Sequence, residues 1–276
     1  YAAGKLIESF STYYQEHHNI IAQFHEWMTG TGILYLKKNA PWVATAFTTH
    51  ATVLGRSIAG NNRPLYGKME EYNPSQIARE LNVVAKQSLE KISATEADVF
   101  TTVSDITARE CKHFLGKEID FVTPNGFEDS FVPSDDIFEE RRQVAREKLL
   151  SVAEAVLGYP VAEDCVLVVN SGRYEFRNKG VDIFIDSLGE IQKKNSIEKE
   201  CIAFFLIPAY HKGPRQDIID ILYNNGPGNG GDRYLTHSLH YPATDPILQR
   251  AIANNLYNDQ NSKVRIIFVP CYLNGN

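Results

Sequence analysis

The feature of this sequence that most constrains its fold is an apolar stretch that leads through a glycine-containing turn into an amphipathic stretch. Residues 166–169 have the composition of a buried strand, residues 171–180 contain the turn, and residues 181–191 have the periodicity of a helix. Similar strand-like and helix-like segments alternate along the rest of the chain. Such alternation predicts an α/β fold with parallel sheets.

The turn at residues 171–180 also predicts an anion site. Gly172 follows the strand, and Arg173 and Lys179 place two cations just before the helix. The N-terminus of a helix offers unpaired N–H groups and the positive end of the helix dipole, both of which favour phosphate. These residues therefore predict a site for a diphosphate or for a diphosphate leaving group. The alternative is that Arg173 pairs with Glu175 and that Lys179 is a solvated helix residue.

Composition and missing motifs exclude several classes of function. The net charge of −6 disfavours a nucleic-acid-binding protein. No apolar run approaches the roughly 20 residues that span a bilayer. We therefore expect neither a nucleic acid nor a membrane as a partner. The sequence also lacks the P-loop motif of kinases and the G-x-S-x-G motif of α/β-hydrolases.

The cysteine and histidine spacing predicts neither disulfides nor a metal site. The widely spaced cysteines indicate free, partly buried thiols in a reducing compartment, so we expect a cytoplasmic protein. They are Cys111, Cys165, Cys201 and Cys271. His237 and His240 have no further ligands at suitable spacing, so we expect no metal and no other cofactor.

Periodicity and turn signals place the individual elements. Strands are predicted at residues 20–24, 42–47, 98–103, 119–123, 166–170, 201–208 and 264–270. Helices are predicted at residues 30–38, 73–96, 107–115, 138–156, 181–191 and 245–254. Asn73 and Pro74 are typical of a cap and a first helical turn, so one long helix is expected after them. The glycines at residues 224–231 predict a flexible loop.

These elements predict two sheet domains. Residues 1–135 are expected to form the later part of the first domain, residues 136–164 a connecting helix and linker, and residues 165–276 the first part of the second domain. A second sheet of only three strands would leave a strand edge exposed. We therefore expect this chain to pair with another copy as a homo-oligomer, or to have a loose C-terminal half.

Polar clusters follow three of the predicted strands in the first domain. His25 and Glu26 follow one strand, His50 follows the next, and Asn125 and Gly126 follow a third. Ligands of α/β proteins bind at the carboxyl ends of parallel strands, so these groups are candidate ligand contacts. Each cluster taken alone has a structural alternative, as a satisfied histidine, a helix cap or a turn.

At these residues the sequence resembles the animal and fungal type of glycogen synthase. The resemblance runs in the family's order over nearly the whole chain. Its matching strings lie at residues 24–27 (FHEW), 47–56 (FTTHATVLGR), 99–104 (VFTTVS), 122–126 (VTPNG), 172–180 (GRYEFRNKG) and 245–248 (DPIL).

The resemblance implies a GT-B fold, in which two Rossmann-like domains enclose a cleft. It implies transfer of glucose from UDP-glucose or ADP-glucose to the non-reducing end of an α-1,4-glucan, with retention of the anomeric configuration. No metal is required in this fold type. A nucleotide sugar and a glucan are thus the expected partners. Two alternatives to a glycogen synthase remain open. One is another retaining GT-B enzyme, such as a sucrose-synthase-like one, and the other is a non-catalytic nucleotide- or glucan-binding module.

The resemblance also implies roles for individual residues. Arg173 and Lys179 resemble the pair that neutralises the diphosphate as the sugar bond breaks. His50 resembles the histidine that contacts glucose near the reacting centre. The residues that the resemblance places on the substrates are His25, Glu26, Asn125, Gly126 and Gly172.

The sequence departs from the family pattern in three places. The N-terminal glycine-rich loop and the distal segment with paired glutamates are absent, so we expect a central part of both domains that is inactive alone. The region between Ala209 and Leu235 is short and glycine-rich, whereas animal and fungal members have a longer, helical one. Tyr210 stands where those members have arginine. These two differences predict a bacterial-type enzyme.

Overall fold

A computed structural model of the protein describes residues 1–224, 226 and 231–273. Its contacts divide the chain into two compact units, Tyr1–Glu128 and Asp129–Asn276. Each unit has its own parallel sheet with helices, so the predicted α/β class with parallel sheets is confirmed. Most of the loop predicted at residues 224–231 lies outside the described residues.

The first unit is built on four parallel strands in the order β1-β2-β3-β4. The strands are β1 (Ile21–His25), β2 (Ala44–Thr49), β3 (Val99–Thr102) and β4 (Phe121–Val122). The helices are α1 (Ala2–Tyr14), α2 (Glu26–Thr29), α3 (Thr31–Asn39), α4 (Val53–Gly60), α5 (Pro74–Glu80), α6 (Val84–Glu96) and α7 (Asp105–Glu110). A π-helical turn, Cys111–Leu115, continues α7. Because the strands are parallel, their carboxyl ends form one edge.

Aromatic and aliphatic side chains of the middle strands form the core of the first unit. Phe47 of β2 and Phe100 of β3 are fully buried, and their rings stack with centroids 5.8 Å apart. Ile33 and Leu36 of α3 pack into the same cluster. Burial of such side chains contributes about 1.5–3 kcal/mol each, which fixes the strand ends in place.

The single helix predicted over residues 73–96 is wrong, because the structure has two helices there. The predicted cap is present: the Asn73 side chain accepts a hydrogen bond from the Gln76 N–H, and Pro74 begins α5. The helix ends at Glu80, and Asn82, two residues later, has a left-handed φ of 55°. The Val83 N–H donates to the Ala78 carbonyl, which closes the turn as at a helix C-terminus. Asparagine tolerates this conformation better than most residues.

The second unit has a three-stranded parallel sheet in the order β5-β6-β9 and a separate antiparallel ribbon of β7 and β8. The strands are β5 (Val166–Ser171), β6 (Cys201–Leu206), β7 (His211–Pro214), β8 (His237–Leu239) and β9 (Val264–Val269). The helices are α8 (Asp135–Leu157), α9 (Val181–Lys194), α10 (Gln216–Asn224) and α11 (Pro246–Ala253). The ribbon and α10 were not predicted; β7 and α10 lie between Ala209 and Leu235, and β8 follows this region.

Helices cover both faces of the second sheet. Ala203 and Phe205 of β6 belong to a cluster with α9 and α11, whereas Ile202 and Phe204 belong to a cluster with α8 and α10. Alternate residues of a strand point to opposite faces, so a strand buried on both sides is apolar throughout. This explains why residues 201–206 show no polar alternation.

The two edges of the second sheet differ. On the outer side of β9, the Phe268 N–H donates to the Tyr234 carbonyl, and the Thr236 N–H donates to the Phe268 carbonyl. On the outer side of β5, the described residues supply no strand, and Val166 and Val169 are about half exposed, at 46% and 48%. The pairing with another copy inferred from an open edge stays a prediction.

The prediction of free thiols is confirmed. Cys111, Cys165 and Cys201 are buried and Cys271 is half-buried, and none is in a disulfide. Burial raises the pKa of each of these thiols. None of the helices in the described part of the chain is both long and apolar enough to cross a membrane.

Candidate active site

The ends of β1 and β2 bring three of the predicted site residues into contact. Register pairs His25 with Thr48, so the residues that follow each strand are neighbours. The Nδ1 atom of His25 lies 3.0 Å from the Nε2 atom of His50, and the ring centroids are 5.3 Å apart. The His50 backbone N–H donates to the Glu26 carboxylate over 3.1 Å. A hydrogen bond between two imidazoles needs one bare ring nitrogen, so at least one ring is neutral.

Glu26 has an unusual backbone conformation. Its φ is 63°, in the left-handed region, although it is not a glycine. This conformation costs an L-residue about 1–2 kcal/mol. It turns the chain sharply from β1 into α2 and presents the carboxylate to the His50 N–H. Non-glycine residues held in this way are concentrated at functional sites, so the strain supports a role for Glu26 beyond packing.

Asn125 and Gly126 lie at the same edge of the sheet but do not join the histidine pair. They are exposed residues of the loop after β4, and β4 is separated from β2 by β3. Two strand spacings amount to about 10 Å. Among the described residues, neither of them hydrogen-bonds His25 or His50. A ligand of several rings could bridge this distance.

Two buried glutamates that the sequence analysis missed accept hydrogen bonds from the turn that contains His50. Glu90 of α6 is fully buried, and its carboxyl group accepts hydrogen bonds from the Thr49 hydroxyl over 2.9 Å and from the Val53 N–H over 3.0 Å. Burial raises the pKa of Glu90 to about 7 against the effect of these bonds, and the charges of Glu26 and Glu110 raise it further. Desolvation penalises the charged form of a carboxyl group.

Glu110, the last residue of α7, holds the other side of the same turn. It is 4% exposed and accepts hydrogen bonds from the Thr52 hydroxyl over 2.6 Å and from the Tyr66 hydroxyl over 2.9 Å. Burial and then the bond to Glu110 raise the pKa of Tyr66 to about 12. Thr52 also caps α4 by accepting from the Gly55 N–H. A Cβ on Gly55 would lie 2.1 Å from Oε2 of Glu110, so this position has no room for a side chain.

The predicted cationic turn lies at the end of β5, in the second unit. Gly172 has a φ of 153° and Gly180 a φ of 65°, so both use backbone conformations that other residues rarely adopt. Arg173 is exposed and forms an ion pair with Glu175 over 2.9 Å, as the structural alternative predicted. Lys179 is exposed and forms no ion pair within the described residues.

The expectation that the start of α9 offers free N–H groups is wrong for its first two residues. The Val181 N–H donates to the Phe176 carbonyl over 3.0 Å, and the Asp182 N–H donates to the same carbonyl over 3.3 Å. The turn folds back on the helix and occupies these donors. The predicted anion site therefore depends on the side chains of Arg173 and Lys179 rather than on those amides.

A hydrogen bond anchors the cationic turn to α11. The Tyr174 hydroxyl donates to Oδ2 of Asp245 over 2.6 Å. Oδ1 of Asp245 caps α11 by accepting from the Ile247 and Leu248 N–H groups. Burial and the bond to Asp245 raise the pKa of Tyr174. A cavity of about 260 Å³, partly lined by Tyr174 and Tyr210, lies beside this anchor.

The histidines of the ribbon contact each other. The rings of His211 and His237 are 4.8 Å apart, and burial followed by the charge of His211 lowers the pKa of His237. Within residues 1–224, 226 and 231–273, no three His, Cys, Asp or Glu side chains form a group that could hold a metal ion.

Comparison with known proteins decides the family. A family model described as glycogen synthase matches residues 1–215. The chain belongs to the glycogen synthase family. Glycogen [starch] synthase isoform 1 of Saccharomyces cerevisiae is 28% identical over 327 aligned residues, which cover 94% of this chain and 46% of the yeast protein. Glycogen [starch] synthase of Neurospora crassa is 34% identical over 318 residues, which cover 93% of this chain and 44% of that protein.

This member of the glycogen synthase family thus spans about half the length of the curated relatives that it matches. Among solved structures, the N-terminal domain of Candida albicans trehalose-6-phosphate phosphatase has a TM-score of 0.48 and 13% identity, with coverage of 98% of this chain and 50% of that one. The family resemblance inferred from the sequence is confirmed.

Proposed function

We propose that this chain is part of a glycogen synthase that transfers glucose from UDP-glucose or ADP-glucose to the non-reducing end of an α-1,4-glucan, with retention of the anomeric configuration. The observation that carries the proposal is the family match over residues 1–215. The contact between His25, Glu26 and His50 at one sheet edge supports it, because the resemblance places all three residues on the substrates.

Arg173 and Lys179 are proposed to act on the leaving group. Breaking the bond between glucose and the nucleotide leaves negative charge on the diphosphate, and cations held at that point lower the barrier. Both side chains are exposed on a turn that two left-handed glycines and the Tyr174–Asp245 bond hold in shape. The ion pair of Arg173 with Glu175 must open or be shared when the diphosphate binds. Since cationic side chains neutralise the charge, the proposal requires no metal and no cofactor.

His50 is proposed to contact the glucose, with His25 and Glu26 setting its position. The Glu26 carboxylate accepts a hydrogen bond from the His50 N–H, and the His25 ring contacts the His50 imidazole. Asn125 and Gly126, on the neighbouring loop, are proposed to line the donor pocket. A GT-B fold remains part of the proposal. A bacterial, cytoplasmic enzyme remains part of the proposal.

A transfer assay tests the proposed function. In the full-length enzyme of which this chain is proposed to be a part, radiolabelled glucose should pass from UDP-glucose or ADP-glucose to glycogen, with the product sensitive to an α-1,4-specific hydrolase. Replacing His50 by Ala should lower the rate by about 10²-fold or more, because a positioning contact to the reacting sugar is lost. His17, an exposed histidine of the same unit, provides the matched control as His17→Ala. Transfer to fructose instead of glucan would contradict the proposal and favour a sucrose-synthase-like enzyme.

A further inference from the structure

The turn between β2 and α4, residues 49–53, donates hydrogen bonds to two carboxyl groups on two different helices. Glu90 accepts from Thr49 and Val53 at the ends of this turn. Glu110 accepts from Thr52 within it. His50 is the one residue of the turn that contacts the other predicted ligand residues. The hydrogen bonds of this turn to Glu90 of α6 and Glu110 of α7 therefore help to set the position of His50.

The two carboxyl groups are buried without a cation. Neither forms an ion pair with a Lys, Arg or His among the described residues, and both are at most 4% exposed. An ionised carboxylate in such a place is unfavourable unless it is paired. The titratable groups that act on Glu90 are Glu26 from α2 and Glu110 from α7, both of which repel it when charged. Cys111 of the π-helical turn is in turn affected by both buried glutamates.

We propose that Glu90 and Glu110 are positioning residues, and that their hydrogen bonds to Thr49, Thr52 and Val53 hold His50 in place for its ligand. A protonated Glu90 can donate its O–H to the Thr49 hydroxyl and still accept from the Val53 N–H. Loss of that proton puts a charge without a cationic partner in a buried site, which is unfavourable. The turn should then loosen.

The proposal rests on the proposed function only in its assumption that His50 contacts a ligand. The stabilisation of the turn at residues 49–53 by the two carboxyl groups is independent of any reaction and can be measured without a substrate. A glutamine at position 90 is a suitable probe because its amide can donate to Thr49 and accept from Val53, as the protonated carboxyl does. Glu96, an exposed carboxylate at the end of the same helix, provides the control.

The test is amide hydrogen exchange of Val53 and His50 in the whole chain, with protection factors compared from about pH 6 to about pH 8. In the wild type and in Glu96→Gln, the protection of Val53 should fall by about tenfold or more over this range. In Glu90→Gln it should stay high at every pH. In Glu90→Ala it should be low at every pH. Thermal unfolding of each variant identifies a chain that has failed to fold as a whole.

Two results would overturn the proposal. One is a Val53 protection factor in the wild type that does not change with pH, and the other is a Val53 protection factor in Glu90→Ala that equals that of the wild type. Binding of UDP-glucose then tests the link to His50. A ligand that binds Glu90→Ala as tightly as the wild type would overturn the positioning role. If the full-length protein binds no donor while the exchange results hold, the proposed function fails, whereas the role of Glu90 in holding the turn stands.

Discussion

The imidazole rings of His25 and His50 meet at the carboxyl edge of the first sheet, with Nδ1 of His25 3.0 Å from Nε2 of His50. The two residues follow neighbouring parallel strands, so the sheet register alone brings them together. The Glu26 carboxylate fixes the backbone of His50 from the same side. This relationship explains how residues separated by 25 positions come into contact.

Replacing His25 should affect activity more than stability. His25 is exposed and His50 is half-buried, so little apolar area is lost in His25→Ala. Loss of its bond to His50 should lower the rate of glucose transfer by about tenfold or more, whereas the free energy of unfolding should change by less than about 1 kcal/mol. Steady-state kinetics and urea unfolding of one preparation measure both quantities. An inactive variant that is also strongly destabilised would indicate a structural role instead.

Gly55→Ala should destabilise the first unit. The new methyl group would lie 2.1 Å from the Glu110 carboxylate and 2.8 Å from the Thr52 hydroxyl. Forcing these groups apart in a buried site should cost about 1–3 kcal/mol or more, measurable as a lower midpoint of urea unfolding. Gly67 has open space around it, so Gly67→Ala is the matched control and should be close to neutral. Equal stability of the two variants would contradict the packing described at Glu110.

The buried carboxyl of Glu90 should make stability depend on pH. Its pKa is raised from 4.5 to about 7 in the folded chain, so the folded state binds a proton that the unfolded state releases between these values. The contribution to stability is therefore fully present below about pH 4.5 and lost as the pH rises through about 7. At about 1.4 kcal/mol per unit, the change is on the order of 3 kcal/mol.

The Glu90→Gln variant should remove this dependence of the free energy of unfolding on pH. Its free energy of unfolding should decrease less than that of the wild type between pH values of about 5 and 8. Unfolding curves at several pH values, with Glu96→Gln as the reference, provide the measurement. Parallel curves for the wild type and Glu90→Gln would show that Glu90 does not titrate in this range.

The hydrogen bond between Tyr174 and Asp245 should couple two segments of the second unit. Asp245→Ala removes the cap of α11 and the acceptor for Tyr174, so it should cost about 1–3 kcal/mol. Tyr174→Phe should cost less, about 1 kcal/mol. The double variant should be less destabilised than the sum of the two, because the same bond is lost in both. Strict additivity would mean that the bond contributes nothing.

The sequence predicts the central elements of both units because their patterns are strong. The apolar runs of β6 and β9 are buried on both faces, and the structure has the predicted cap at Asn73 and a helix that begins after Asp245, as predicted. The helix break at Asn82 was missed because a single asparagine in a helical pattern is a weak stop signal. The ribbon was missed because its strands are short and histidine-rich.

The buried glutamates could not be predicted from hydrophobic periodicity. The residues that α6 buries are Gln87, Glu90, Ser93 and Ala94, whereas Val84 and Ile92 of the same helix are exposed. Its polar side faces the interior, because the groups that it meets there are Thr49 and the Val53 N–H. A pattern analysis assigns such a face to solvent. The signal that could have revealed it is the set of threonines around His50, since buried hydroxyl groups need partners.

The most direct test of the account is a calorimetric titration of the chain with UDP, repeated for Lys179→Ala, Arg173→Ala and the control Lys194→Ala at the far end of α9. If the cationic turn binds the diphosphate, the wild type and Lys194→Ala should bind equally. Each of the other two should then bind at least about tenfold more weakly, which is about 1.4 kcal/mol. Equal affinity of all four chains would contradict the assignment of Arg173 and Lys179 to the leaving group.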